Sequence, residues 1–514
     1  MNDNPAAPKG RDASADAPGE HAMGELAATG IAGLDDILNG GFVRNRLYLV
    51  EGLPGSGKTT LAIQFLLDGL ARGERVLYVT LSESVDELVG VIQSHGWSAD
   101  GIAMRELAPA ADSLNPDERY TMFHPSEVEL SEATKTILGD VERLRPHRIV
   151  FDSLSEMRLL AGNALRYRRQ ILALKQYFTG KRSTVLMLDD CTSSEHDMQV
   201  HSLAHGVVHL EQNFPEYGVE RRRVRVIKYR GKTFRGGNHD YVIRHGGLMV
   251  YPRLVASEHR GHPDRARMPT GVGALDALMG GGIERSTSTL IVGAPGTGKS
   301  SLAAQFVACT AQRGENAAMF IFDESVETLL SRSDSLGISL RQSYERGIVS
   351  IQPIDPAELT PGQLVALIRA AVEERNVRTV VIDSLNGYLN AMPEERFLTV
   401  QLHELLAYLG QCGVATLLVS AHAGLVGGAM QSPIEASYLV DAVILLRYFE
   451  ARGEIRQAIS VVKKRGGAHE RTIREFRLDN GIHIGEPLRE FRGVLTGVPT
   501  YDGKAETLMP KPST

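Results

Sequence analysis

The 514-residue chain contains little cysteine, no long apolar segment and no excess of basic residues. The three cysteines, Cys191, Cys309 and Cys412, are scattered and match no metal-ligand spacing, so we expect buried thiols in a reducing cytosol. Because the sequence has no run of 18 apolar residues and no signal-peptide core, we expect a soluble, cytoplasmic protein without membrane contact. The net charge of −6 gives no overall basic field, so nucleic acid is not an expected partner.

Two phosphate-binding loop motifs are present in the sequence. Residues 52–59 read GLPGSGKT and residues 293–300 read GAPGTGKS, so that 241 residues separate Lys58 from Lys299. In this motif the glycines let backbone N–H groups face phosphate oxygens, the lysine reaches the β- and γ-phosphates, and the hydroxyl ligates Mg²⁺. Each motif follows an apolar run and opens an apolar-periodic helix, which is the required context. We therefore predict that both loops bind ATP with Mg²⁺.

The predicted nucleotide contacts are the glycines, lysines and hydroxyl residues of both loops. They are Gly52, Gly55, Ser56, Gly57, Lys58, Thr59, Thr60, Gly293, Gly296, Thr297, Gly298, Lys299, Ser300 and Ser301. Asp152 and Asp383 each end an apolar strand and should lie beside a loop, where they would hold Mg²⁺ with Thr59 and Ser300. The alternative for each aspartate is a surface position at a strand end.

The spacing of 241 residues extends beyond the loops. The segment Thr29–Asp35 is repeated as Thr270–Asp276. Near-continuous apolar strands alternate with helical patterns in both halves, which predicts an α/β fold with a mostly parallel, twisted sheet and helices on both faces. We divide the chain into a disordered tail at 1–24, a first domain at 25–256, a linker at 257–268, a second domain at 269–496 and a short tail at 497–514.

Acidic residues follow the strand after each predicted loop helix. Glu83 stands in the first half, and Asp323 and Glu324 stand in the second, with Glu83 and Glu324 again 241 residues apart. A carboxylate there could polarise the attacking water or hydroxyl. The alternative is an acid at a helix N-terminus, because Ser82 and Ser84 also suit helix capping.

Basic residues recur late in each half. Lys228 and Arg230 match Lys463 and Arg465, and each pair could complete a phosphate site on a neighbouring subunit. The alternative is a solvated basic strand end. His469 follows the second pair and is a further candidate for nucleotide contact, whereas Phe234 occupies the matching place in the first half.

These motifs together resemble the KaiC family of double-domain, RecA-superfamily ATPases over residues 25–500. The strongest resemblance is to the second domain of the family, in DAVILLRYFEARGE at 441–454 and IREF at 473–476. The resemblance implies a tandem repeat of two RecA-like P-loop NTPase domains. It also implies a homohexamer with ATP at subunit interfaces, weak ATPase activity and autophosphorylation in the second domain.

The resemblance also suggests phosphoacceptors and partners. The family places a Ser-Thr acceptor pair where this chain has Ser437 and Tyr438, which implies phosphorylation of one serine, with Tyr438 as a weaker candidate. The family has paired glutamates where this chain has Ser82 and Glu83, so Glu83 would act alone. KaiB-like or signalling partners, such as a histidine kinase or response regulator, fit the resemblance. The segment after Thr500 is short, so we do not expect KaiA.

Two other functions compete with a KaiC-like ATPase and serine autokinase acting in timing or signalling. One is a DNA-dependent motor like RecA, RadA or DnaB, against which stand the acidic charge and the absence of a basic, aromatic groove in the sequence. The other is a nucleotide-gated scaffold ring in which ATP mainly stabilises the assembly.

Overall fold

The computed structural model describes residues 25–107, 125–191, 198–259, 261, 264–390, 397–421, 436–451, 453–496 and 500–501. The chain forms two compact units. The first contains the described residues up to Gln212 together with Arg223–Gly237 and Val242–Val250. Residues Asn213–Arg222, Asn238–Tyr241 and those from Tyr251 onward group with the second. The predicted tail at 1–24 lies outside the described residues.

The first half of the chain contains a nine-stranded sheet in the order β11-β10-β9-β8-β3-β7-β6-β4-β5, together with the two-stranded pair β1-β2. The six strands from β8 to β5 in this order are mutually parallel. The strands are β1 Leu26–Ala27, β2 Phe42–Val43, β3 Leu47–Gly52, β4 Val76–Thr80, β5 Ile102–Glu106, β6 Arg148–Asp152, β7 Thr184–Asp190, β8 Gly206–Asn213, β9 Arg221–Tyr229, β10 His239–Arg244 and β11 Gly247–Tyr251. The helices are α1 Ala32–Ile37, α2 Lys58–Ala71, α3 Val85–Ser94, α4 Pro125–Leu144, α5 Leu154–Ala161, α6 Ala164–Lys181 and α7 Met198–Leu203.

The second half repeats this arrangement with the sheet order β16-β15-β17-β18-β14-β19-β20-β21-β22. The first six strands in this order are parallel, and β20, β21 and β22 are antiparallel additions, as the sequence predicts for 458–463. The strands are β12 Arg267–Met268, β13 Ile283–Glu284, β14 Ser288–Gly293, β15 Asn316–Ile321, β16 Val349–Pro353, β17 Val377–Asp383, β18 Ala415–Ala421, β19 Ala442–Ala451, β20 Glu454–Lys464, β21 Ile473–Leu478, β22 Ile482–Pro487, β23 Phe491–Arg492 and β24 Thr500–Tyr501. The helices are α8 Gly273–Leu278, α9 Lys299–Gln312, α10 Val326–Ser335, α11 Leu340–Glu345, α12 Pro361–Arg375, α13 Leu385–Asn390 and α14 Leu398–Gln411.

This architecture confirms the predicted fold class, a tandem repeat of mostly parallel α/β domains. Two observations bear on the boundaries inferred from the sequence. Strand β12 pairs with β13, so the last two residues of the predicted linker belong to a strand. Strand β24 pairs with β23, which gives part of the predicted tail regular structure. Among the described residues, no helix combines the length and the apolar character needed to cross a bilayer.

The parallel strands are buried on both faces because their side chains alternate between two apolar cores. In β14, Ile291 packs with Leu302 and Phe306 of α9, whereas its neighbours Leu290 and Val292 belong to the cluster that contains α12 and α14. A strand covered on both faces by helices has an almost continuous apolar sequence. This explains why the sequence reveals these strands clearly.

Each half opens with the same turn. The amide of Thr29 donates to the Asp35 carboxylate at 2.7 Å, and the amide of Thr270 donates to the Asp276 carboxylate at 2.8 Å. In both cases the aspartate lies within the first short helix and holds the extended segment that precedes it. The repeated Thr-Gly-x-x-x-Leu-Asp segment therefore has a local structural role.

The two halves have different residue pairs at one buried site between the loop helix and a neighbouring strand. In the first, Arg148 is fully buried, donates to the carbonyls of Ala28 and Phe65, and forms ion pairs with Asp68 and Glu74. Gly69 leaves room for it, since a Cβ there would lie 2.7 Å from Arg148 Cδ. At the matching positions of the second half, the hydroxyls of Thr310 and Thr379 hydrogen-bond at 3.0 Å.

The buried guanidinium of Arg148 predicts a large loss of stability for Arg148→Met. The substitution leaves Asp68 and Glu74 without this partner and two buried carbonyls without a donor, which should lower the free energy of unfolding by about 3–5 kcal/mol. Urea unfolding followed by the fluorescence of Trp97, the one tryptophan of the chain, measures this in the first half.

Arg72→Met is the matched control, because Arg72 pairs with the same Asp68 carboxylate but its side chain is 54% exposed. Arg72→Met should lower the free energy of unfolding by less than about 1 kcal/mol. Equal losses for the two variants would contradict a special role for the buried arginine.

Candidate nucleotide sites

Both phosphate loops lie where a strand in the middle of the sheet passes into a helix. The first follows β3 and opens α2, and the second follows β14 and opens α9. Gly57 and Gly298 have φ angles of 90° and 92°, and each stands immediately before the helix. A Cβ at either glycine would also lie 2.5 Å from the terminal methyl of an apolar side chain, so the positive φ angle is the main reason that both loops require glycine.

In the first site the loop lysine is buried and already has an anionic partner. The Lys58 ammonium donates to the carbonyls of Gly52 and Leu53 at 2.9 and 3.0 Å. It also forms an ion pair of 2.7 Å with Asp190, the last residue of β7. Strand pairing places Asp190 opposite Gly52, which explains the contact.

In the second site the loop lysine has weaker partners. The Lys299 ammonium donates to the carbonyl of Ala294 at 2.9 Å. Strand pairing places Ala421 opposite Gly293, in the position that Asp190 occupies in the first site. Burial lowers the pKa of Lys299, and the charge of Asp383 opposes this effect. The two loops therefore hold their lysines in different electrostatic environments.

Each strand-end aspartate lies beside the hydroxyl that follows the loop lysine. Thr59 Oγ1 donates to Asp152 Oδ2 at 3.1 Å, and the Ser300 hydroxyl lies close enough to Asp383 to favour the charged form of that carboxylate. In the first site Tyr78 OH also donates to Asp152 Oδ2, at 2.6 Å. In the second site Asp383 Oδ2 is buried and has no hydrogen-bond partner. A hydroxyl with a buried carboxylate oxygen is a suitable ligand set for Mg²⁺.

Both aspartates are harder to ionise than an exposed carboxyl group. Burial raises the pKa of Asp152, although hydrogen bonds from Tyr78 and Thr59 counteract it. Burial raises the pKa of Asp383 to about 6, and the neighbouring Ser300 hydroxyl opposes this effect. A cation held against either carboxylate would stabilise its charged form.

The acid predicted to be catalytic in the first site is not engaged in helix capping. Ser84 is the N-cap of α3 and forms a capping box with Glu87, so Glu83 lies just before the helix. Glu83 Oε2 is buried without a hydrogen-bond partner. Burial and the charge of Asp152 raise the pKa of Glu83. This oxygen is therefore available to accept a proton or hydrogen bond from a bound group.

The acids of the second site, by contrast, both have partners. Ser384 Oγ donates to Asp323, and Arg332 of α10 donates to both oxygens of Glu324 at 2.7 and 2.8 Å. The position in α3 that matches Arg332 is Val91. The two sites therefore share their loops and strand-end aspartates but differ in the state of their remaining carboxylates.

The predicted basic pairs bind backbone carbonyls in their own half. Lys463 donates to the carbonyls of Ser437 and Val440 at 2.6 and 2.7 Å, and Arg465 donates to that of Tyr438 at 2.6 Å. The candidate phosphoacceptors thus lie in a 3₁₀ turn, Ala436–Tyr438, that these two residues hold.

The first half contains the same arrangement. Lys228 binds the carbonyls of His201 and Ala204, and Arg230 binds that of Ser202. His201 and Ser202 therefore occupy the places of Ser437 and Tyr438. Arg230 and Arg465 are nevertheless exposed residues.

The remaining hydroxyl residues predicted to contact nucleotide flank the loop lysines. Ser56, Thr60, Thr297 and Ser301 are buried beside their lysines, with Thr297 Oγ1 donating to the Ala294 carbonyl at 2.8 Å. His469 is half-buried. Sequence reasoning missed Tyr78, Asp190 and Arg332. Tyr78 and Asp190 reach the first site only through strand pairing, and Arg332 reaches Glu324 from two turns along α10.

Comparison with known proteins places the chain in a family. A family model described as ATPase KaiC matches residues 27–255 and 268–489. The chain is 28% identical to circadian clock protein KaiC3 of Synechocystis sp., covering 94% of this chain and 96% of that protein. It is 28% identical to circadian clock oscillator protein KaiC of Thermostichus vulcanus, covering 92% and 91%, and 27% identical to that of Synechococcus elongatus, covering 95% of each.

The environment of His205, beside the Lys228–Arg230 segment, predicts a pH-dependent stability. Burial and the charges of Arg46 and Arg230 lower the pKa of His205 from 6.5 to about 4. The unfolded chain therefore takes up a proton first, and stability should fall as the pH drops from 6.5 towards 4. His205→Gln should reduce this fall, measured as the urea midpoint of Trp97 fluorescence at several pH values. Parallel curves for the two proteins would rule out the contribution of His205.

Proposed function

Because the chain belongs to the KaiC family of ATPases, we propose that both phosphate loops bind ATP with Mg²⁺ and that the two sites differ in chemistry. The first would mainly hydrolyse ATP, and the second would also transfer phosphate to Ser437. The observation that carries the proposal is the hydroxyl–carboxylate pair beside each loop lysine, Thr59 with Asp152 and Ser300 with Asp383. These pairs would hold Mg²⁺, which neutralises charge on the transferring phosphate.

Hydrolysis in the first site needs a group that orients or deprotonates water. Glu83 suits this role because one of its oxygens is buried without a partner and its pKa is raised by burial. Lys58 would release Asp190 and bind phosphate instead, which keeps the buried ammonium paired before and after binding. Arg230 of a neighbouring subunit would complete the site if the chain assembles as a ring.

Phosphate transfer in the second site needs an acceptor hydroxyl and a carboxylate to take its proton. Ser437 is exposed, and its turn is held by Lys463 and Arg465. Asp323 and Glu324 are the candidate bases, and each would have to leave Ser384 or Arg332 to act. Tyr438 is 53% exposed but a poorer acceptor, because its long ring displaces the hydroxyl from the place of a serine oxygen.

We place this activity in a homohexamer acting in timing or signalling. The curated relatives are named as circadian clock proteins, which supports a timing role. KaiB-like proteins or a histidine kinase and response regulator are the partners that fit it. No contact in the described residues favours a DNA-dependent motor or a scaffold ring.

The role of Glu83 predicts a selective loss of hydrolysis. Glu83→Gln, in a Lys299→Ala background that leaves only the first site active, should retain nucleotide and lower its turnover by roughly 10²–10⁴-fold. Glu87→Gln is the matched control, since Glu87 lies in the exposed first turn of α3 and glutamine preserves the capping box. Bound nucleotide and phosphate release are measured together. Unchanged turnover in Glu83→Gln, or loss of its nucleotide, would contradict the assignment.

The role of Ser437 predicts phosphate transfer between subunits. Lys299→Ala lacks the phosphate donor and Ser437→Ala lacks the acceptor, so neither chain alone should be modified at residue 437. After mixing with Mg-ATP, mass spectrometry should find phosphate on Ser437 of the Lys299→Ala chain. Tyr438→Phe is the control and should remain phosphorylated. An unmodified wild-type peptide would refute the kinase, and a modified wild type with an unmodified mixture would refute transfer between subunits.

A further inference from the structure

A cluster of metal-ligand side chains lies behind the first phosphate loop. The ligand atoms of Glu51, Cys191 and His209 all lie within 4.8 Å of one another. His209 Nδ1 is 3.2 Å from Glu51 Oε1. His201 Nε2 lies 2.6 Å from the second oxygen of Glu51. Glu51 lies in β3, His209 in β8 and His201 in α7, and Cys191 directly follows β7.

The second half shows that the fold does not need polar residues here. Strand pairing places Glu51 opposite His209 in β3 and β8, and it places Val292 opposite Leu445 in the matching strands β14 and β19. Both Val292 and Leu445 are buried in the core. Since well-packed apolar residues stabilise such positions at least as well as buried ion pairs, stability alone does not account for the cluster.

We propose that Glu51, Cys191 and His209 form a binding site for a divalent transition metal of the zinc class, with His201 orienting the Glu51 carboxylate. This site is separate from the Mg²⁺ sites proposed for the two loops. Its residues are a thiol, an imidazole and one carboxylate, whereas Mg²⁺ favours oxygen ligands alone.

The number of ligands and the residues around them are both suitable for zinc. Three protein ligands leave a fourth tetrahedral position open to water or another group. His201 would hold the unligated carboxylate oxygen by a hydrogen bond, as residues around a metal commonly orient its ligands. Glu51 is buried, but the His209 side chain is 30% exposed, so an ion could enter from that side.

The site would be linked to the first phosphate loop through two chain segments. Glu51 directly precedes Gly52, whose carbonyl accepts from the Lys58 ammonium and from the Cys191 amide. Cys191 directly follows Asp190, the ion-pair partner of Lys58. A metal that fixes Glu51 and Cys191 would therefore fix the carbonyl and the carboxylate that hold the loop lysine.

Cobalt substitution tests the proposal without relying on ATPase activity. The full-length protein, stripped with a chelator, is titrated with Co²⁺, and the absorption spectrum is recorded. We expect one equivalent per chain to produce a thiolate-to-cobalt charge-transfer band and the intense visible bands of a four-coordinate ion. Added Zn²⁺ should abolish both bands by displacing cobalt.

Variants assign the signal to the cluster. Cys191→Ser should lose the charge-transfer band, and His209→Gln should weaken binding at least tenfold. Cys412→Ser, which alters another half-buried cysteine, should bind like the wild type. Trp97 fluorescence and the urea midpoint verify that each variant is folded. A featureless cobalt titration of the wild type, or a band that persists in Cys191→Ser, would overturn the proposal and identify the cluster as an ion-pair network only.

Discussion

A lysine ammonium buried behind each phosphate loop is the charge that the surrounding site has to satisfy. Burying a cation costs free energy unless an anion or several carbonyls replace its water. Lys58 meets this requirement with Asp190 and two carbonyls, whereas Lys299 has one carbonyl and the more distant Asp383. Phosphate entering the first loop must displace Asp190, but phosphate entering the second meets a lysine without a competing carboxylate. From this difference alone, phosphate binding should be more favourable in free energy at the second loop than at the first.

Strand order then determines which other side chains reach the loops. The strands β7 and β18 lie next to β3 and β14, the strands that lead into the loops. The last residue of β7 or β18 therefore determines whether the loop lysine has a carboxylate partner at that strand end. The strands β6 and β17 lie one place further and bring Asp152 and Asp383 to the hydroxyl that follows each lysine. The same strand order thus positions the residues that the two sites share and also permits two different environments, because a single change at a strand end alters one site only.

The parts of this arrangement visible in the sequence are those encoded by contiguous residues. The phosphate loops, the strand-end Asp-Ser pairs and the alternation of apolar strands with helices all have local patterns, and the described structure has them where the sequence predicts. Tyr78, Asp190 and Arg332 have no such pattern, because each acts on a partner far away in sequence or on another turn of a helix. The grouping of Cys191 with Glu51 and His209 was hidden for the same reason. Its members are separated by up to 158 residues and meet only because β7 and β8 both flank β3.

The different residue pairs at the buried site, Gly69 with Arg148 in the first half and Thr310 with Thr379 in the second, restrict which single substitutions each half can accept. A threonine at 69 would collide with the arginine, and a threonine at 148 would leave Asp68 and Glu74 without their buried cation. Either substitution made alone would therefore destabilise the first half. A residue exchanged between the halves at one of these two positions would therefore be tolerated only together with the residue that packs against it.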